Sequence, residues 1–280
     1  MGDYMKMAGR PKTYDINEEY FNNPLTNIGA YFLGLIISDG HLNYKRGVFQ
    51  YACKIDDVEL IRFIKSELHS THPIKEYKIK KKWYVRYNIT NKKLVSSLIE
   101  KYNLPHSNKS ENNVDIPNIS EGLISHFLRG LFDGDGSIWK SKNESSYAMS
   151  YTGGEKMMLS IQNILNTFNI KSRISYKYGL QNKNSCNIGF NGNLKVSKFL
   201  DFLYKDADFY LKRKHDRYVE CKKLANEFIN HTFDLNGNSE KIKIMYSEGL
   251  SQKNISKKLG LVYSSVRCCV QRLRKNKEII

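Results

Sequence analysis

Long apolar runs are missing from this chain. No stretch approaches the roughly 18 apolar residues of a spanning helix, and the N-terminus is not signal-like. A soluble intracellular protein is expected, in the cytoplasm or nucleoid, with an organelle matrix as the alternative. Paired cysteines are missing too: Cys53, Cys186, Cys221, Cys268 and Cys269 make an odd count with no C-x-x-C spacing. That argues for reduced thiols and against a disulfide framework or a zinc site. The seven histidines form no H-x-x-x-H pair. Acids are scarce, with 28 Asp and Glu against 45 Lys and Arg in 280 residues, a net charge of +17 and a pI near 9.5. Such an excess calls for a polyanionic partner, nucleic acid first and an anionic membrane surface second. The length suits one large pseudo-symmetric domain plus a small module.

What is present is a repeat. Phe32-Leu33-Gly34-Leu35-Ile36-Ile37-Ser38-Asp39-Gly40 has a counterpart in Leu128-Arg129-Gly130-Leu131-Phe132-Asp133-Gly134-Asp135-Gly136. Gly34 and Ser38, like Gly130 and Gly134, are four apart and share a helix face. Two helices with such small-residue stripes can pack with their backbones close, setting Asp39 and Asp135 side by side at the shared end. Gly40 and Gly136 suit a left-handed C′ position. A carboxylate there opposes the helix dipole, and two adjacent ones ask for a metal.

In these residues the chain resembles the LAGLIDADG homing endonucleases, in the single-chain form with two motif copies. The second copy follows the pattern closely. The first has Ile37 at the earlier acidic position and Ser38 in place of alanine. The resemblance implies an α+β fold of two pseudo-symmetric αββαββα halves forming a DNA-binding saddle. It also implies metal-dependent hydrolysis of both strands of a long double-stranded DNA target, one catalytic acid per half, Asp39 and Asp135. Two or three Mg²⁺ ions would be shared between them, helped by backbone oxygens at Ser38 and Gly134. A lysine in each half near the scissile phosphate maps onto Lys109 and Lys212, with Lys214 as the alternative in the second half.

The repeat extends past the motifs. Strand-like Val48 to Ile55 and the amphipathic helix Asp57 to Ser70 match Tyr147 to Thr152 and Glu155 to Phe168. Strand pairs follow, Ile74 to Lys80 with Trp83 to Ile89, and Lys171 to Tyr178 with Cys186 to Phe190, and a helix closes each half. The motif aspartates are 135 − 39 = 96 residues apart, room for one such unit. Alternation assigns Trp83, Val85, Tyr87 and Ile89 to a core face and Tyr84, Arg86 and Asn88 to a free one, extended by Lys78 and Lys80, with Gln50 and Lys54 in the same pattern. In the second half the free face takes Arg173, Ser175, Lys177, Asn187 and Asn191. Arg, Lys, Asn and Gln are the side chains that read purine edges in a major groove, so these faces are the expected DNA contacts.

The tail carries ten Lys and Arg against three Asp and Glu between residues 239 and 280, a net of 10 − 3 = +7. Helix Glu240 to Ser247, helix Gln252 to Leu259 capped by Ser251, and helix Tyr263 to Arg274 read as a small all-α helix-turn-helix domain. Its core would be Ile244, Ile255, Leu259, Leu261, Val266 and Val270, and its recognition helix would present Ser264, Ser265, Arg267 and Gln271. The expected layout is a basic arm at 1–22 with an AT-hook-like Gly9-Arg10-Pro11-Lys12, halves at 23–118 and 119–229, a linker at 230–238 and the module at 239–280. A monomer is expected, with no membrane partner. The alternatives are a non-cleaving DNA-binding regulator of the WhiA type and an RNA maturase acting on intron RNA. An intein is not expected, since the chain starts with Met1 and ends without His-Asn.

Overall fold

The structure, a computed structural model, describes residues 13–105, 114–141, 146–176, 185–276 and 278–279, and of residues 228–236 the backbone alone. The chain divides into two compact units, Met1–Tyr218 and Val219–Ile280.

The first unit contains two αββαββα repeats. In the first, α1 (Asn27–Asp39), β1 (Gly40–Asn43), β2 (Val48–Lys54), α2 (Val58–Glu67), β3 (Ile74–Ile79), β4 (Lys82–Thr90) and α3 (Lys92–Tyr102) follow in order. In the second, α4 (Ile124–Asp135), β5 (Gly136–Lys140), β6 (Tyr147–Gly154), α5 (Glu155–Thr167), β7 (Arg173–Tyr176), β8 (Ser185–Asn191) and α6 (Asn193–Tyr204) repeat the pattern. Each repeat forms a four-stranded antiparallel sheet, ordered β1-β2-β4-β3 or β5-β6-β8-β7.

Local chemistry fixes the ends of these elements. Thr26 caps α1 by accepting from the Gly29 amide at 3.0 Å, and Asn91 caps α3 by accepting from Leu94 at 2.9 Å. α1 is buried continuously from Gly29 to Ile37, and α4 from Ser125 to Asp133, as expected of helices enclosed on all sides. They pack against each other along their length. One face of each sheet is closed by helices of its own repeat, α2 and α3 on the first and α5 and α6 on the second. Phe49, Tyr51, Val85, Tyr87 and Ile89 are fully buried on the first sheet's inner face. Trp83 shares their parity but lies at the strand end and is 49 % exposed.

In the second unit the segment 230–238, expected as a linker, is helical: it lies inside α7 (Lys212–Ser247), a 36-residue helix that begins in the first unit. The end of α7 joins α8 (Gln252–Leu259) and α9 (Tyr263–Lys275) around Ile242, Ile255, Leu261, Val266, Cys269, Val270 and Leu273. Ile244, expected in this core, is 51 % exposed. Helix phase explains this, because Ile242, Met245 and Tyr246 stand three and four apart on the inward stripe. Ser251 caps α8 by accepting from Asn254 at 3.3 Å, and Gly260 ends it at φ 65°. Among the described residues no helix is long and apolar enough to cross a membrane.

Candidate active site

The α1–α4 contact runs along the small-residue stripe. A Cβ at Gly34 would run into Phe127 O and lie 2.5 Å from Leu131 N; one at Gly130 would run into Tyr31 O and lie 2.8 Å from the Tyr31 carbonyl carbon. A Cβ at Gly134 would collide with the Ser38 side chain and lie 3.3 Å from Asp39 Oδ2. The Asp39 carboxylate thus reaches the residue next to Asp135, and the helix ends bearing the two acids adjoin. Asp39 is exposed and Asp135 half-buried.

Gly40 and Gly136 have a different purpose from the one expected. Both are extended, at φ −73° and −82°, not left-handed. A Cβ at Gly40 would lie 2.6 Å from Ile36 O, and one at Gly136 would lie 2.5 Å from Phe132 O. Glycine lets each chain turn directly from helix into strand against its own last turn.

Behind Asp135 lies a buried polar cluster. Lys214, 3 % exposed, donates through Nζ to the carbonyls of Phe132, Asp133 (2.9 Å) and Gly136 (2.7 Å), capping the C-terminus of α4. Burial pushes its pKa down to about 8, opposed by the Asp133 charge and, more weakly, that of Asp39. Asp133 accepts through Oδ2 from the Tyr31 hydroxyl and the Leu211 amide, both at 2.9 Å. Its Oδ1 is buried without a hydrogen-bond partner among the described residues, and burial raises its pKa despite Lys214. Arg129 donates to the carbonyls of Phe209 (3.1 Å) and Leu203 (2.9 Å). Arg213 grips Asp57 with two bonds of 2.8 and 2.9 Å, linking the start of α7 to the first repeat.

The two lysines considered for the second half differ in placement. Lys212 is at the surface, its side chain 74 % exposed and ion-paired with Asp216 at 2.8 Å. Lys214 is the one that reaches the end of α4. Sequence had offered it only as the alternative. Lys109 lies outside the described residues, as do Lys177 and Gly9 to Lys12.

Strand register decides which side chains share the outer faces. Gln50 opposes Asn88, Ala52 opposes Arg86 and Lys54 opposes Tyr84, so Gln50, Lys54, Tyr84, Arg86 and Asn88 occupy one face. On β3, however, Lys75 opposes Arg86 and Tyr77 opposes Tyr84, whereas Lys78 opposes Trp83 on the other face. Lys78 is therefore corrected to the inner parity, where its ammonium lies 5.4 Å from the Trp83 ring. Lys80 sits in the connecting turn at φ 54° and extends neither face. In the second repeat Arg173 opposes Gly189 and Ser175 opposes Asn187. Asn187 and Asn191 oppose Thr152 and Ala148. In α9 Ser264, Arg267 and Gln271 are exposed and Ser265 half-buried.

Among the described residues no three His, Cys, Asp or Glu side chains converge as a metal cage. Two carboxylates at adjoining helix ends suit instead a hard cation that keeps much of its water, as Mg²⁺ does. Asp39 Oδ2 comes within 3.3 Å of where a Cβ at Gly134 would lie, in the residue next to Asp135.

This arrangement defines a two-motif, helix-paired α/β protein, and comparison with known proteins agrees. Residues 122–203 match the family model described as the LAGLIDADG-like domain. The structure of the LAGLIDADG homing endonuclease I-GzeII in complex with its DNA target is similar with a TM-score of 0.51 at 15 % identity, covering 73 % of this chain and 92 % of that one. I-LtrWI, a LAGLIDADG homing endonuclease bound to target DNA, gives 0.48 at 17 % identity over 78 % and 93 %. Full-length DUF199/WhiA from Thermatoga maritima gives 0.44 at 19 % over 94 % and 96 %. No curated protein matches the chain. The first unit shares the fold of the LAGLIDADG homing endonuclease I-GzeII, and its second repeat matches the LAGLIDADG-like domain model.

Proposed function

We propose that this chain is a site-specific DNA endonuclease that hydrolyses both strands of a long duplex target. The observation that carries the reading is the convergence of Asp39 on Gly134-Asp135 at the shared end of α1 and α4. The DNA-bound state of I-GzeII, whose fold this chain shares, supports it.

Asp39 and Asp135, with backbone oxygens at Ser38 and Gly134, would hold Mg²⁺. Bound there, the ions would activate water and neutralise the leaving 3′ oxygen, so no covalent nucleophile is needed. Each acid serves one strand. Lys214 fixes the end of α4 and places a buried positive charge behind Asp135. Lys109 is its expected counterpart in the first half. The outer sheet faces hold the duplex through Gln50, Lys54, Arg86, Asn88, Arg173, Ser175, Asn187 and Asn191. The three-helix unit acts as a helix-turn-helix through Ser264, Arg267 and Gln271 on α9.

Asp39→Asn and Asp135→Asn are each expected to abolish double-strand cleavage of a duplex selected from a randomised library, while specific binding persists. Wild-type cleavage by the double variant would sink the proposal. The appended three-helix unit favours one competing reading, a non-cleaving regulator. Sequence-specific binding by the unmutated chain with no cutting in Mg²⁺ would establish that instead.

A further inference from the structure

The two outer sheet faces differ in chemistry. The first carries Lys54, Lys75 and Arg86 beside Tyr77 and Tyr84. The second offers Ser137, Ser150, Thr152, Gly189 and Asn187 beside the exposed Trp139, with Arg173 as its cation among the described strand residues. Its polar groups also satisfy one another, Thr152 donating to Asn187 Oδ1 at 2.7 Å.

Arg86 is stacked against an aromatic pair on the first face. Its guanidinium lies 4.6 Å from the Tyr77 ring, which stacks on Tyr84 at 5.7 Å. Its Nε is buried without a hydrogen-bond partner among the described residues. A planar fork stacked this way suits the O6 and N7 acceptors of guanine. Beside it opens a cavity of about 700 Å³, lined by Arg46, Lys75, Arg86, Asn88, Thr90 and Lys92 among others. Nearby acids are engaged: Asn91 donates to Glu18 at 2.9 Å, and Glu19 is ion-paired with Lys93. The remaining cations suit phosphate oxygens.

We infer that the first repeat is the discriminating half of the interface, with Arg86 as a specificity-determining residue that reads a guanine, and that the second repeat accepts its half-site permissively. This rests on the proposal that the chain binds and cuts duplex DNA. The first half-site is also held by charge, so its contacts are the more sensitive to salt. Among the described residues, the small neutral side chains of the second face away from Trp139 leave room for water between protein and bases, and tolerate substitution there.

The test is a duplex library in which each half of the selected target is randomised separately, with binding and cleavage both read by sequencing. Base changes in one half-site are expected to weaken binding by roughly tenfold or more each, and those in the other by less than about threefold. Arg86→Gln should flatten the strict half-site at one guanine and leave the other half unchanged. Lys75→Gln should weaken binding evenly and reduce the log–log salt slope by about 0.9. Arg173→Gln, acting on the permissive half, should leave the strict profile intact. Equal strictness in both half-sites overturns the inference while the nuclease reading stands, and so does strictness that follows Arg173. Asymmetric binding without cutting supports the inference and defeats the nuclease reading, whereas no duplex binding overturns both. The wild-type and Arg173→Gln profiles decide the matter even if Arg86→Gln fails to fold.

Discussion

Gly130→Ala tests whether the close helix contact holds the two acids together. A methyl group there would meet Tyr31 O, the Tyr31 carbonyl carbon at 2.8 Å and Leu35 N at 3.1 Å, all backbone atoms of α1 that no rotamer change can move. Alanine gains about 1 kcal/mol of helix propensity over glycine. Against that stands overpacking of about 1–3 kcal/mol or more, together with lost dispersion along the contact as α1 and α4 are forced apart. A net loss of about 2–3 kcal/mol is expected, which lowers Tm by roughly 5–10 °C for a unit of this size. Helix separation on the order of 1 Å also displaces Asp39 relative to Asp135, and a misplacement of that size reduces turnover by about 10²-fold. Thermal unfolding and single-turnover cleavage measure the two effects. Gly122→Ala is the control, since a Cβ there meets nothing within 4 Å, and it should change stability by less than about 0.5 kcal/mol. An unchanged Tm with full cleavage in Gly130→Ala would refute the close-contact account.

Three further outcomes are expected. Burial lowers the Lys214 pKa from 10.5 to about 8, so between those pH values the unfolded chain keeps a proton the folded protein has released, and this group's contribution to stability rises with pH. The Tm gap of wild type over Lys214→Met should therefore widen between pH 8 and 10, by up to about 3 kcal/mol of stability; a flat or shrinking gap refutes it. Deleting residues 239–280 should weaken duplex binding about 10- to 100-fold at 0.15 M salt while Mg²⁺-dependent cutting survives at higher protein concentration, and unchanged affinity in gel shift would give the tail another role. In EDTA the Asp39→Asn/Asp135→Asn double variant should bind duplex several-fold more tightly than wild type, and equal or weaker binding by fluorescence titration would count against carboxylates facing the backbone.

The repeat and the helix pair were legible in sequence because their signals are local: glycine spacing, apolar periodicity and alternation within a single strand. Arg86, Asn88, Gln50 and Lys54 were assigned to one face on that basis, and the register groups them. Lys78 was misplaced because its face relative to β4 is set by pairing across the turn. Ile79 opposes Lys82 there, and a one-residue difference in register inverts every side chain. Lys75 and Tyr77 were missed for the same reason. The different placements of Lys212 and Lys214 are a matter of helix phase, since two residues on a helix lie about 200° apart. Which of them turned inward depended on how α7 starts against α4. The supposed linker at 230–238 is polar enough to read as loop, yet it continues the helix.

The electrostatics of the α4 end bear on why two acids stand there. A helix C-terminus carries about half a negative charge, and a carboxylate beside it adds to the unfavourable field. Lys214 meets part of that demand by binding the carbonyls of Phe132, Asp133 and Gly136. Its charge also faces Asp133, the largest favourable influence on its protonation, with Asp39 a lesser one. A single buried ammonium therefore serves a helix end and a buried carboxylate, with a weaker pull from Asp39, one of the paired aspartates. Each acid of that pair, set about 5 Å from a backbone phosphate, would repel it by about 1 kcal/mol even at the dielectric constant of water. A protein that only bound DNA would gain affinity by exchanging these carboxylates for amides. A cation held between carboxylate and phosphate reverses the sign of that interaction. On the proposed reading the paired aspartates would oppose DNA binding in the absence of metal and favour it in its presence, the behaviour required of metal-dependent cleavage.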